Sequence, residues 1–473
     1  MNFITSIADY LAAQNSHIAL SRARKLRCQK KYPRALKLYA VVAEAGSTQA
    51  ERAVAQHYLN GEGVLQNAVE AGRWFARAAE KGDLASQLHL AGLYLFGLSQ
   101  KKITGIGNSL FTEMQSSEAD YGAALLWARR AAAAGDMQAQ IMAGYICMVR
   151  PEPLRDLEQA KAWFEKALPR EAPQAHLGLG LIGLAAAGNG QAWPAAADHI
   201  RRAAAAGLPA GHYYLGIIYE KGIGLPPDPA LAAQHYGIAA KDGISAAQGK
   251  YGQMLFNGIG VKANRIEGET WLRRAGLDGD PQAAIAIANI YANEGDLPPN
   301  HAEAMLWLRR AAEAGSREAA GALGMNYLTG NGVPSDPAEA ASWFRRGAEA
   351  GDAISAFNYA ICLAQGIGVA CDEAAAAIWL RHAAESLVNA QFWYGRVLAE
   401  GRGVEKNPEE ARIWLQKCAD ADLVEAYVEL GDMCLSGAGG PADPQAARLF
   451  YETAANRGYL PAKLKLGALH GGP

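Results

Sequence analysis

The chain has 473 residues, 45 basic and 47 acidic side chains, a formal net charge of −2, and hydrophobic residues at half of its positions. That balance excludes a strongly basic nucleic-acid glove and an acid-rich disordered spacer. Six cysteines without recurring spacing argue against a disulfide framework and for reduced thiols.

From the N-terminus, Met1 to Leu20 carries Asp9 early, has no unbroken apolar run, and places its positive charges after its apolar residues. Neither a signal peptide nor a membrane-spanning helix has that layout, so a cytoplasmic location is expected. Residues 1–46 read as an atypical capping hairpin. Within it Arg22, Arg24, Lys25, Arg27, Lys30, Lys31, Arg34 and Lys37 follow one another, and no acidic residue lies between Asp9 and Glu44. This run is either the solvated face of a cap or a contact for an anionic partner, whether acidic protein, lipid surface or RNA.

Beyond residue 47 the chain repeats. Trp127, Trp163, Trp271, Trp307, Trp343 and Trp379 share a register of 36 residues, with His199 and His235 in the two places where a tryptophan is missing. Tyr39, Trp74, Trp414 and Phe450 extend it. One supersecondary unit copied at this period buries its apolar face only against its neighbours. The tryptophans are therefore packing residues, and the two histidines read as aromatic stand-ins rather than ligands. A second register runs through Gly144, Gly180, Gly216, Gly252, Gly324, Gly395, Gly431 and Gly467, with Ala288 and Ala360 in two gaps. Glycine inside a helix costs about 1 kcal/mol, so these positions mark close helix crossings.

Glu318 to Asp352 gives one unit in full. Ala319, Leu323, Gly324 and Tyr327 recur at helical spacing. Gly330-Asn331-Gly332-Val333 ends that first helix and turns the chain. Asp336-Pro337 starts a second helix, with the aspartate as cap and the proline in the first turn. Ala340, Trp343, Phe344, Gly347 and Ala348 supply its apolar stripe. The same loop recurs as Gly61-Glu62-Gly63-Val64, Gly258-Ile259-Gly260-Val261, Gly366-Ile367-Gly368-Val369 and Gly401-Arg402-Gly403-Val404. These glycines follow helices instead of strands, so they are not nucleotide-cradling loops. No nucleophile motif and no metal-ligand spacing is present, and no cofactor is expected.

The pattern Ala-x-x-x-Leu-Gly-x-x-Tyr, Gly-x-Gly-Val, Asp-x-x-x-Ala-x-x-Trp-x-x-x-Ala-Ala-x-x-Gly resembles the Sel-one-like repeat family, a branch of the tetratricopeptide-like solenoids. The likeness covers roughly residues 35 to 470. It implies an all-α, α/α superhelical solenoid of about 11–12 helix-turn-helix repeats, spanning 47–460 between the cap at 1–46 and a capping helix at 461–473. Arg150-Pro151-Glu152-Pro153 and Glu294-Gly295-Asp296-Leu297-Pro298-Pro299 replace the glycine loop in two units. Trp74 and Trp127 lie 53 residues apart, 17 more than one period, and the excess falls at about Ser99 to Asp120. A loop this long in a stacked protein is a candidate binding element, with Lys101, Lys102 and Phe111 as its contacts.

In the family's architecture the first helices line the concave face. Counting from the glycine register places Ile141, Leu177, Tyr213, Phe357 and Phe392 three residues before it, and Tyr145, Ile217, Met325 and Ile361 one residue after it. Tyr145, Tyr213, Ile217, Phe357, Phe392 and Trp393 are the candidate partner contacts, with Trp393 the anchor to test. A non-catalytic adaptor for partner proteins or peptides follows, and the resemblance adds bacterial signalling or an envelope or exopolysaccharide assembly complex. The alternative is a membrane- or nucleic-acid-associated factor acting through residues 22–37. An enzyme would need clustered acid-base groups, which the sequence does not offer.

Overall fold

The computed structural model describes residues 15–97, 119–151, 153–170, 172–186, 193–292 and 299–470. Among these it contains α-helices and one short 3-10 turn, with no strand. In chain order the helices are α1 (Ser16–Cys28), α2 (Tyr32–Glu44), α3 (Thr48–Asn60), α4 (Ala68–Glu80), α5 (Leu84–Phe96), α6 (Tyr121–Ala133), α7 (Met137–Val149), α8 (Leu157–Ala167), α9 (Pro173–Ala186), α10 (Trp193–Ala205), α11 (Pro209–Lys221) and α12 (Pro229–Lys241). There follow α13 (Ser245–Asn257), α14 (Arg265–Leu277), α15 (Pro281–Ala292), α16 (His301–Glu313), α17 (Arg317–Thr329), α18 (Pro337–Glu349), α19 (Ala353–Gln365), α20 (Glu373–Ala384), α21 (Val388–Glu400), α22 (Pro408–Asp420), α23 (Val424–Ser436), α24 (Pro444–Asn456) and α25 (Leu460–His470).

Odd-numbered helices are the first helices of the repeats and even-numbered ones the second. The chain divides into two compact units, one reaching to Ala247 and including Ile259–Val261, the other made of Gln248–Gly258 and Lys262 onward. Their division falls inside α13 and its loop, where the sequence shows no linker. Within each unit, helices pack against their neighbours in chain order, the arrangement of an α/α repeat solenoid.

The glycine register explains why the hairpins close. A Cβ on Gly324 would lie 2.6 Å from the Phe344 ring, one on Gly144 2.8 Å from Phe164, and one on Gly216 2.7 Å from Tyr236. Each glycine thus receives the residue 20 positions later on the partner helix. That receiving register is Phe75, Ala128, Phe164, Ile200, Tyr236, Leu272, Leu308, Phe344, Leu380, Leu415 and Tyr451, all buried and all but Leu308 at most 3% exposed. It lies one residue after the tryptophans. The tryptophans themselves face elsewhere: the Trp307 ring abuts Gly276 on the second helix of the preceding hairpin. Over most of their rings lies a cation one turn on, as with Arg77 4.4 Å from the Trp74 centroid, Lys166 4.2 Å from that of Trp163 and Lys417 4.0 Å from that of Trp414. Of this register only Trp127, Trp307 and Trp343 are buried; Trp74, Trp163, Trp271, Trp379 and Trp414 are half-buried.

The loop between the two helices has one fixed closure. The amide of the residue capping the second helix donates to a carbonyl near the end of the first: Asn67 to Tyr58 at 2.9 Å, Asp336 to Tyr327 at 2.9 Å, Asn407 to Leu398 at 2.9 Å. Asp336 then accepts from the amides of Ala338 and Glu339 through its side chain. Departures in loop sequence leave this closure intact. Asp156 donates to Cys147 at 3.0 Å and Asn300 to Tyr291 at 2.8 Å, although neither loop carries the glycine pair. Across the insertion Asp120 donates to Tyr94 at 2.8 Å, so the excess residues lie between two points that meet as in any other repeat. Where the glycine pair is present, its first member ends the helix in the left-handed region, φ +77° at Gly330. Its second member touches the preceding repeat: a Cβ on Gly368 would collide with the Pro337 carbonyl at the start of α18.

Phe344→Ala and Trp307→Ala should each cost roughly 3–5 kcal/mol, the range for a large aromatic removed from a core. Gly368→Ala should also destabilise, through both its positive φ and the clash with Pro337. Urea denaturation checks all three, and a parental midpoint for Trp307→Ala would refute its placement between hairpins.

Candidate interaction surfaces

The aromatic residues expected on the first-helix face separate into two groups. In the N-terminal unit, Ile141 and Leu177 are fully buried and Tyr145 is 7% exposed. Tyr145 is therefore a core residue, correcting its reading as a partner contact. Small residues cause this: Gly178 lets the Phe164 ring reach within 2.4 Å of where its Cβ would stand, so α7, α8 and α9 close over one another. Tyr213 and Ile217 on α11 are half-buried. The Tyr213 ring leans on Tyr214 and Tyr236, at 5.2 and 6.0 Å between centroids.

In the C-terminal unit the corresponding residues stay accessible. Phe357 on α19 and Phe392 and Trp393 on α21 are half-buried at the margin of one core cluster. Phe392 and Trp393 meet edge to face, 6.2 Å between centroids at 80°. Arg396, one turn on, lies 5.2 Å from the Trp393 ring and 6.0 Å from that of Phe392. Its guanidinium also approaches Glu400 at 3.4 Å and Glu429 on α23 at 3.5 Å. Burial pushes the Glu429 carboxyl up, with Arg396 opposing. Further along α23, Asp432 accepts from the Tyr451 hydroxyl at 2.6 Å and pairs with Lys465 on α25. The result is an aromatic patch flanked by a charge ladder running from one first helix to the next.

Sequence reasoning missed a second set of apolar residues, one position before the tryptophan register. Leu306, Ile378, Ile413 and Leu449 are 58–64% exposed on the second helices. Ile413 and Phe450 line a groove of about 450 Å³ with Leu430, Cys434, Arg412 and Lys417. The signal was there in the spacing, since helical geometry turns the residue before a packed position away from the core.

Of the basic run, Arg27 is committed to the fold. Its guanidinium donates to both Glu62 carboxylate oxygens, at 2.9 and 3.3 Å, and to Gln56 at 3.2 Å. Arg22 is half-buried, whereas Arg24, Lys25, Lys30 and Lys31 are exposed around the end of α1. Lys101, Lys102 and Phe111 lie outside the described residues. All six cysteines are free thiols, and burial pushes those of Cys147 and Cys418 up to about 11. Among the described residues no three metal-ligating side chains come together and no helix is long and apolar enough to cross a membrane.

Sequential helical hairpins with one packing register define the class: a helical-repeat solenoid. Ten segments match the Sel1 repeat profile: 48–83, 115–136, 138–168, 209–244, 245–280, 281–316, 317–352, 353–386, 388–423 and 424–459. The chain belongs to the Sel1 repeat family, whose members generally mediate protein–protein interactions. Among solved structures it is similar to a protective antigen of uropathogenic Escherichia coli strains displaying an SLR fold. That match has 25% identity, covers 92% of this chain and 90% of that one, and has a TM-score of 0.49. It is also similar to a Sel1 repeat protein from Oxalobacter formigenes, with 28% identity over 65% of this chain and 90% of that one and a TM-score of 0.48. No curated protein sequence matches significantly.

Two buried imidazoles make the first repeats acid-sensitive. His57 Nδ1 donates to the Glu62 carbonyl at 2.7 Å, while its Nε2 is buried without a hydrogen-bond partner. His89 stacks on Phe75 with its Nδ1 likewise buried. Burial lowers both pKa values below the ordinary 6.5, reinforced at His89 by Arg52 and opposed at His57 by Glu62. The unfolded chain therefore takes up these protons first. Their stabilisation is complete above pH 6.5 and is lost as pH falls through the lowered folded values. Hydrogen exchange, normalised for intrinsic rates, should show α3–α5 losing protection between pH 7.5 and 5.5 more than α17–α19, a span without histidine.

Proposed function

We propose that this chain is a non-catalytic adaptor that holds a partner protein or peptide on the first-helix face of its C-terminal unit, through Phe357, Phe392, Trp393 and Arg396. The observation that supports this most is the Trp393 ring, which is half-exposed, lies outside the packing register and is flanked by Phe392 and Arg396. Aromatic and arginine side chains in such settings carry most of the binding energy at interfaces. The Arg396–Glu429 and Asp432–Lys465 pairs alongside supply fixed polar groups that set the register of an extended or helical segment. The solenoid fold of this family is typically a scaffold without enzymatic activity. Tyr213 and Ile217 offer a smaller contact of the same kind in the N-terminal unit, and Lys101, Lys102 and Phe111 a further one in the insertion. Within the family's range, the setting that fits is bacterial signalling or an envelope or exopolysaccharide assembly complex.

A second reading rests on Arg24, Lys25, Lys30 and Lys31, which are exposed with basic residues on both sides. Contact there with an anionic surface would be salt-dependent and lost on charge reversal of those four, whereas docking at Trp393 would be indifferent to that change. For the adaptor, crosslinking capture of the full chain from its native cells should recover a reproducible partner linked to α19–α23. Trp393→Ala should weaken that partner by about 2 kcal/mol or more, roughly 30-fold, without moving the denaturation midpoint by more than the half-exposed ring explains. Equal recovery with parent and variant would remove this face from the proposal.

A further inference from the structure

The two repeats that lack the tryptophan share a second departure. His199 on α10 meets His176 on α9, Nδ1 to Nδ1 at 2.9 Å. His235 on α12 meets His212 on α11 in the same way, also at 2.9 Å. Ring centroids are 5.2 Å apart in both. Both pairs are separated by 23 residues, and the second pair lies one period of 36 residues after the first. Elsewhere the position 23 residues before a tryptophan of the register holds Glu51, Gln140, Gln248, Ala284, Ala320, Ala356 or Gln391, except before Trp127, where the insertion intervenes. Histidine thus enters at both positions of a hairpin together, twice, and packing alone requires no such coincidence.

We propose that each pair is a two-histidine chelate for a divalent transition metal ion, giving two similar sites on consecutive hairpins, with Cu(II) as the ion held most tightly. All four rings are half-exposed, so an ion can enter from solvent. A metal takes the neutral imidazole, so binding belongs above the ordinary imidazole range. Asp198 and Arg202 oppose one another at His199, and Asp242 lies near His212.

The hydrogen bond shows that the two Nδ1 atoms of each pair reach one point in space. Imidazole nitrogen suits the later divalent ions, and Cu(II) heads their affinity order. With two protein nitrogens per ion, water completes the sphere. In the metal-free pair one ring donates its Nδ1 proton to the other. On chelation that proton moves to the donor ring's Nε2, both Nδ1 lone pairs go to the ion, and no net proton is lost above the imidazole pKa values. Tyr219 stacks flat on His235, at 5.7 Å and 2°, and position 183 of the preceding hairpin is glycine. The second site therefore has the more firmly oriented ligand and binds first.

The test is titration of the tag-free, chelator-stripped full chain with Cu(II) at pH 7.5, followed by calorimetry and electron paramagnetic resonance. Two equivalents per chain with two-nitrogen hyperfine structure are expected, weaker binding with Zn(II), and loss of binding at pH 5. His212→Gln should leave one equivalent, and His176→Gln with His212→Gln none. His199→Trp with His235→Trp restores the residue that other repeats carry; it should keep the fold, read by circular dichroism, and lose both ions. Unchanged stoichiometry in the folded double variants, Zn(II) tighter than Cu(II), or no nitrogen coupling would each overturn the assignment.

Discussion

Everything in this chain hangs on the seating of one large side chain against one missing side chain. In each hairpin from α7 to α24 a glycine or alanine on the first helix leaves a hollow, and the residue 20 positions later fills it. Phe344 over Gly324, Tyr236 over Gly216 and Tyr451 over Gly431 are versions of the same contact. It sets the distance between the two helices, and dispersion falls steeply when such a gap opens. The tryptophan beside it can reach the hairpin before, as Trp307 does at Gly276, while Trp271, Trp379 and Trp414 also meet a tyrosine of their own first helix. Intra-hairpin and inter-hairpin packing thus come from adjacent residues on one helix, which is why neither can drift without the other.

The repeat, its period, its helix caps and its loop glycines were legible in the sequence because they are local or strictly periodic. The glycine register was read correctly as a crossing point. What it received was not foreseen: tryptophan attracts the eye through its constancy, whereas the more deeply buried register varies among Phe, Ile, Tyr, Leu and Ala. Only the three-dimensional contact identifies a position whose constraint is volume rather than chemical type. The histidine pairs were hidden for a related reason. His199 and His235 were visible as substitutions, but His176 and His212 belong to a different helix, and nothing local links them.

The candidate contact face shows where sequence counting stops. Ile141, one turn before Tyr145, and Phe392 sit at the same place relative to the glycine register, yet one is core and the other is accessible. The difference lies in the neighbours. Around Tyr145, Gly144, Gly178 and Gly180 draw successive helices together, while α21 has Phe392, Trp393 and Arg396 in succession and only Gly395 among them. Arg27 teaches the same lesson for charge: it stands in a basic run, but its pairing with Glu62 commits it to the fold. A surface in a repeat protein is thus defined by what adjacent copies fail to cover.

The hydrogen bond from the Asp120 amide to the Tyr94 carbonyl has a consequence for how such a protein can change over time. Because the chain returns to the same donor and acceptor whatever lies between, residues can be gained or lost there without altering how α5 and α6 close on one another. The entropic cost of lengthening such a loop grows only logarithmically, about 0.6 kcal/mol per doubling. This makes the position a natural socket for new peptide modules, open to evolution by insertion and to the laboratory as a grafting point, while the scaffold around it stays fixed.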